Sequence, residues 1–297
     1  MSAATEMSNV PDVAIDVSHR RRPWLAAFRT PSGIIGLVLM CVVLALAVMS
    51  WLGLTPYNEA QQNIAASLDG PSAAHWFGTD QFGRDIFSRV AGGLADSLRI
   101  AAVSVAVSAV VGVLLGTLAG YYQGIVDRVV GVITNVLFAF PSLLLALALA
   151  ATLQSSWWTV SIAIAVVFVP IFARVARGPV LTLRTADYVL ASTAIGRGRL
   201  STLFEHIIPN MGGILVVQIT LSLSWAILTE AALSFLGFGA PPPAPSLGGM
   251  VYDAQSLTTV APWMLIYPGI ALVVAVVGLN LLGDSLRAAL DPKTGGR

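Results

Sequence analysis

Six runs of apolar residues, each long enough to cross a lipid bilayer, constrain this chain more than any other feature. A helix rises 1.5 Å per residue, so a hydrocarbon core of about 30 Å takes about 20 apolar residues. Runs of that kind cover residues 33–54, 98–121, 129–153, 157–173, 212–235 and 262–282. Inside a bilayer each backbone donor and acceptor must be satisfied within the segment, which leaves the helix as the structure for such runs. Composition agrees. Of 297 residues, 56% are hydrophobic and 10% charged, against about 25% charged in soluble domains, and mean hydropathy is +0.82. The expectation is an all-α, multi-pass membrane protein with six transmembrane helices.

Basic residues orient it, because cytoplasmic loops carry the excess of Lys and Arg. With the N-terminus inside, Arg20, Arg21, Arg22, Arg29, Arg128, Arg174, Arg177, Arg184, Arg197, Arg199, Arg287, Lys293 and Arg297 are cytoplasmic. Only Arg84, Arg89 and Arg99, of 16 Lys and Arg, then lie outside. The chain is therefore read as N-in and C-in. Residues 1–32 form a cytoplasmic tail, 33–54 the first helix and 55–97 an external loop. Residues 98–290 form a five-helix core with a cytoplasmic loop at 176–210, and 291–297 a second tail. The first tail is not read as a signal peptide, since it holds Glu6, Asp12 and Asp16 and precedes too long an apolar run. Its stretch 1–18 is polar and expected to be disordered. Trp51, Trp157, Trp158 and Trp263 fall near predicted outer ends, where amphipathic rings favour the interface.

Within the spans, Pro141 and Pro170 each remove a backbone donor and are candidate kinks, as packing features or as hinges. Ser104, Ser108, Gly112, Gly116 and Gly120 recur every fourth residue, a spacing that lets helices approach closely. Cys41, the one cysteine, is expected to be a buried small hydrophobe. Glu230, near the outer end of the fifth run, is the exceptional acid; it reads equally as a functional carboxylate and as a hydrogen-bond acceptor for loop backbone.

Several chemistries are excluded. A phosphate-cradling loop needs Gly-x-x-x-x-Gly-Lys-Ser/Thr, and the sole lysine, Lys293, follows Pro292. His19, His75 and His206 are far apart, no metalloprotease or serine-hydrolase motif occurs, and no metal site is expected. Net charge is +1 with no basic run suited to nucleic acid.

Three polar stretches remain. Residues 75–89 combine Gly78, Thr79, Asp80, Gly83, Arg84, Asp85 and Arg89. Their charges pair at helical spacing, and they read as an exposed, structured loop leading into an amphipathic helix, worth about 0–1 kcal/mol per pair. Residues 237–249 are rich in Pro and Gly and expected to stay extended. Residues 188–210 are polar enough for water yet carry apolar faces. Asp187 to Ile195 suits two helical turns ended by Gly196. Leu200, Leu203, Phe204, Ile207 and Ile208 then make one apolar face, which Pro209 is expected to stop. Such a loop either lies flat on the membrane or bundle, or docks a cytoplasmic protein.

The pattern of Ala191, Gly196 and Ile208-Pro209 resembles the EAA loop of binding-protein-dependent ABC importer permeases. Gly78-Thr79-Asp80-x-x-Gly83-Arg84-Asp85-x-x-Ser88-Arg89, the run from Glu230 to Gly239, and the ending from Asn280 to Pro292 are similar to the second permease of dipeptide, oligopeptide and nickel importers. The likeness covers about residues 31–292 and implies a type I ABC importer permease fold in a prokaryotic inner or plasma membrane. It implies a non-catalytic subunit that pairs with a second, similar permease and encloses half of a path for peptides. An extracytoplasmic binding protein delivers them, and two ATP-binding subunits, which hold ATP and Mg, dock on the loop. This chain is expected to bind no cofactor of its own. The docking residues implied are Tyr188, Leu190, Ala191, Ser192, Ile195, Gly196, Leu203, Phe204, Ile208 and Pro209. The family's loop usually begins Glu-Ala-Ala, whereas here it reads Leu190-Ala191-Ser192, so no salt bridge is carried over at 190. Nickel, glutathione or another small solute is the alternative cargo. An ion-coupled secondary transporter, which wants titratable groups within the spans and inverted repeats, and a purely structural subunit are the other readings.

Overall fold

The computed structural model describes Phe28 and residues 30–290. The expected disordered stretch 1–18 and the second tail, 291–297, lie outside the described residues. The first helix, α1, is Pro31–Trp51, capped by the Thr30 hydroxyl, which accepts from the Gly33 N–H at 3.1 Å. Then come α2 (Ile86–Tyr122), α3 (Gly124–Ala139), α4 (Ser142–Thr152), α5 (Trp157–Leu183), α6 (Asp187–Ala194), α7 (Arg199–Thr202), α8 (Gly212–Phe235), α9 (Leu247–Ala254) and α10 (Trp263–Leu290). Five helical runs are long and apolar enough to cross a membrane: α1, α2, α5, the continuous run Arg199–Phe235, and α10.

The third expected span is not one straight helix. α3 and α4 meet at 92°. At about 24 and 16 Å neither reaches across a bilayer alone. The cause is local: Pro141 disfavours helical torsions in the residue before it, and Phe140 is extended (φ −91°, ψ 138°). Pro141 therefore sits in a break rather than inside a helix. Pro170, by contrast, is buried within α5, which continues unbroken from Trp157 to Leu183.

α2 begins twelve residues before its apolar run. At 37 residues it is about 55 Å long, so its first turns stand outside the membrane. The row of small residues lies buried on α2 against α5. A Cβ on Gly116 would stand 2.1 Å from the Ala173 carbonyl oxygen, and the Ser104 hydroxyl donates across to the Ser161 carbonyl at 3.0 Å. The row serves packing within this chain. α10 packs on α1 and α8, and a core of Ile100, Val105, Ile164, Phe172, Ile227 and Leu233 joins the central helices. Cys41 is exposed on α1 rather than buried. One apolar helix packed along one side leaves the other to lipid, where a thiol is no less compatible than a methyl. The Pro-rich run 237–249 does not stay extended to its end: Ser246 caps Leu247, and α9 starts there.

Candidate functional site

The cytoplasmic loop is built from behind. Val189 and Ser192 of α6 turn inward, and Leu203, Ile207 and Met211 close over Ala176 and Val180 at the inner end of α5. The Ser192 and Thr202 hydroxyls meet at 3.5 Å. α6 ends in a Schellman motif: the Arg197 N–H donates to the Ser192 carbonyl at 3.2 Å and the Gly196 N–H to Thr193 at 3.0 Å. That closure needs a left-handed residue, and Gly196 has φ +85°. Arg197 forms an ion pair with Glu205, whose other oxygen accepts from the Ser201 hydroxyl. The loop's acid and base thus neutralise each other across the Gly196–Gly198 link.

Pro209 does not end the second helix. Between Leu203 and Ile207 the backbone widens into a single π turn, and the Ile208 N–H donates to the Leu203 carbonyl at 2.9 Å. A proline ring clashes with the carbonyl four residues earlier; the wider turn relieves that clash. Pro209 then opens a 3₁₀ turn that runs on into α8.

The apolar stripe read from the sequence therefore splits. Leu203 (2% exposed) and Ile207 (0%) are anchors, whereas Leu200, Phe204 (56%) and Ile195 (78%) are exposed. Tyr188, Leu190, Ala191, Gly196 and Pro209 are exposed as well, and Ile208 is half-buried. Ser192 and Leu203, expected to dock, are withdrawn by packing inside this chain. Leu200 joins the exposed residues, Ile207 of the stripe turns inward, and Val189 and Met211 are supports that the spacing alone did not single out. The result is an apolar face at the cytoplasmic end, held on a rigid base. The Leu190 position offers it no charge.

The outer motif is not exposed. Thr79, Asp80, Arg84, Asp85, Ser88 and Arg89 are all buried. Asp80 Oδ1 accepts from the N–H groups of Phe82 (2.8 Å) and Arg84 (2.9 Å), and Oδ2 from Arg84 Nε at 2.6 Å. Arg89 lies 3.7 Å from the same oxygen and donates to the Glu59 carbonyl at 3.0 Å. Asp85 caps α2 through the Ser88 N–H at 2.8 Å and meets His75 Nδ1 at 2.9 Å. The Trp263 indole N–H donates to the Thr79 carbonyl at 3.1 Å. Gly78 lies against that indole, and Gly83 against the Asn63 carbonyl. Burial is what the sequence did not disclose, because one covering group, Trp263, lies 184 residues from Thr79. These residues brace the outer end of the bundle, and Arg84 and Arg89 line an outer cavity of about 520 Å³ together with Gln62, Gln81 and Asp253.

Glu230 is also buried. It accepts from the Ser97 hydroxyl at 2.6 Å and from Ser234 at 2.7 Å, so its partners are serine side chains of α2 and α8, not loop backbone. Among the described residues no group of three or more His, Cys, Asp and Glu is placed to hold a metal. The break at Phe140-Pro141 opens a groove between α3, α4, α5 and α8, with a cavity of about 330 Å³ lined by Phe138, Phe140, Phe168, Gln218, Trp225 and Thr229.

Known proteins resemble this chain in sequence and in fold. Residues 112–296 match the family described as binding-protein-dependent transport system inner membrane component. The chain is 42% identical over 275 residues to the dipeptide transport system permease protein DppC of Alkalihalophilus pseudofirmus, covering 91% of this chain and 90% of that one. It is 43% identical over 262 residues to the glutathione transport system permease protein GsiD of Salmonella typhimurium, covering 88% and 86%. The GsiD of Pectobacterium atrosepticum is 42% identical over 85% and 84%. In fold it is similar to a chain of the MetNI methionine ABC transporter in an inward-facing conformation, with TM-score 0.53, 21% identity, and coverage of 66% of this chain and 94% of that one. A helical bundle with an anchored cytoplasmic loop, matched over nine-tenths of its length by such permeases, belongs to the binding-protein-dependent transport system inner membrane component family.

Proposed function

We propose that this chain is one transmembrane half of an ATP-driven importer for small peptides. A second, similar permease completes the path, and a binding protein outside supplies the cargo. Two ATP-binding subunits dock on the exposed side of residues 188–209. The observation that carries this reading is the split stripe: Leu203 and Ile207 are sealed against α5 while Leu200, Phe204 and Ile195 stand exposed on the same loop. A loop that only covered the bundle would turn its largest apolar groups inward, since burying each is worth about 1.5–3 kcal/mol. A chain without a phosphate-binding loop takes its energy from elsewhere, and this face is where it enters. Nucleotide-driven closure of the partners shifts the permease between two states only by the difference in their affinity for each, so the docked loop must stay engaged while it moves.

Peptide cargo is supported by relatives named for dipeptide and glutathione transport. The ion-coupled alternative loses ground because Glu230, the acid within α8, is already held by two serines.

Co-expression with the ATP-binding subunits tests the docking. Gly196→Trp adds bulk where this chain leaves open space, since nothing of its own lies within 4 Å of a Cβ there. Assembly and dipeptide uptake should both fail. Gly196→Asn, which tolerates the left-handed backbone, should keep more of both. Normal assembly and uptake by the Trp variant would sink the reading. Competition of labelled dipeptide uptake by glutathione then ranks the two cargoes.

A further inference from the structure

The groove behind the α3–α4 elbow holds a second cavity at its cytoplasmic end, about 280 Å³, lined by Asp127, Thr134, Asn135, Ala173, Arg174 and Arg177. One contact divides the two. Arg174 lines the inner cavity, Phe138 lines the outer one, and the guanidinium carbon of Arg174 stands 4.1 Å over the Phe138 ring. The stack is their shared wall.

Charge distinguishes Arg174 from its neighbour. Arg177 is spoken for: Nε and Nη2 donate to the two oxygens of Asp127 at 2.6 and 2.7 Å. Arg174 has no carboxylate partner among the described residues. Its hydrogen bond is a long one, 3.5 Å, to the Asn135 side-chain oxygen. Stacking occupies the face of a guanidinium and leaves its N–H edge free, and that edge fits a carboxylate in two-point fashion. On the outer side, Gln218, Ser222, Trp225 and Thr229 recur at spacings of four, three and four along α8 and all line the larger cavity. A face turned to lipid carries no such row of polar groups.

We propose that this groove is the subunit's share of the substrate path, and that Arg174, held on Phe138 where the groove narrows, binds the carboxylate of a passing peptide. The carboxylate takes the N–H edge while the ring keeps the face. A single guanidinium with no carboxylate partner among the described residues binds an anion and still lets it leave, as a conducting path requires. The cargo class rests on the peptide reading above; the anion preference of Arg174 does not.

The test has two arms, both on the assembled transporter in membrane vesicles. First, uptake of dialanine is compared with its C-terminal amide. Arg174→Gln should raise KM for the free acid and cut the acid-over-amide preference about tenfold, the size expected for one charge-assisted contact; Arg174→Lys should restore part of it. Equal loss for both peptides marks Arg174 as a packing residue and overturns the proposal. Second, Cys41→Ala removes the one cysteine, and Ile171→Cys places a thiol in the outer cavity one turn from Arg174. An anionic sulfonate thiol reagent should label it several-fold faster than a cationic ammonium reagent of similar size. Arg174→Gln should erase that difference, while Val38→Cys on the exposed side of α1 should show none. Labelling at position 171 that is indifferent to reagent charge overturns the anion role whatever the cargo. If unmodified transporter takes up neither peptide but the labelling preference stands, the peptide reading fails and the Arg174 site survives.

Discussion

Two glycines with left-handed backbone show how position decides what a methyl group costs. Gly83 (φ +67°) turns its α-carbon toward the Asn63 carbonyl, and a Cβ there would stand 1.8 Å from that oxygen. Gly196 (φ +85°) faces open space. Alanine at either site carries about 1–2 kcal/mol for the backbone alone. At 83 the clash adds to this and the loop must move. Gly83→Ala should therefore lower the thermal midpoint of the detergent-solubilised subunit well beyond Gly196→Ala, and comparable melts for the two would count against the brace as drawn. Asp80 is the acceptor for the same turn and the counter-charge of Arg84 and Arg89, all three buried. Removing one partner of a buried pair leaves an uncompensated charge, at about 3–5 kcal/mol. Asp80→Ala should destabilise by that order, measured by thermal unfolding.

At the level of elements, the two prolines read alike in the sequence and behave differently. Phe140-Pro141 breaks a span; Pro170 sits in a helix whose most apolar window is 72% buried. Packing on α2 and α8 holds α5 together, whereas α3, turned largely outward, bends. Apolar runs and the Gly196 stop were legible because length and a left-handed cap are local signals. The bend was not, because hydropathy averages over the backbone. Nor was the burial of the outer motif, whose Thr79 carbonyl accepts from Trp263, 184 residues away. The π turn before Pro209 was also hidden: the proline announced a stop, and the chain widened instead. That turn sets the rotation between the exposed side of the loop and α8. Pro209→Ala restores an N–H and removes the clash, so the turn should relax toward α-helix and swing Leu200 and Phe204 relative to α8. ATP hydrolysed per dipeptide imported should rise, with subunit folding intact. An unchanged ratio would mean that the turn is only an accommodation of the proline.

Across the whole molecule the run Arg199–Phe235 is one connected helical path, about 55 Å long. Its inner end carries the exposed loop residues proposed to dock the ATP-binding subunits. Its outer end carries Glu230, bonded to Ser97 on α2, and α2 starts in the Asp80–Asp85 brace. On the proposed docking, a displacement of the loop would reach the outer end through packed helices rather than through flexible chain. For that to work, the loop needs two faces with separate duties, and neighbouring residues report on each. Leu203→Ala opens a void against Ala176 and Val180, for about 2–5 kcal/mol of subunit stability. Phe204→Ala leaves the subunit's own packing nearly untouched but removes an aromatic anchor from the docking face, a loss of at least about 2 kcal/mol at a central contact and so more than tenfold in affinity for the ATP-binding subunits. Thermal unfolding of the isolated permease and titration of the ATP-binding subunits onto it separate the two. Leu203→Ala should lower the first strongly, and Phe204→Ala should weaken the second with an unshifted melt. The same pair of changes in both variants would mean that the loop has a single structural duty, and the energy would have to enter this subunit elsewhere.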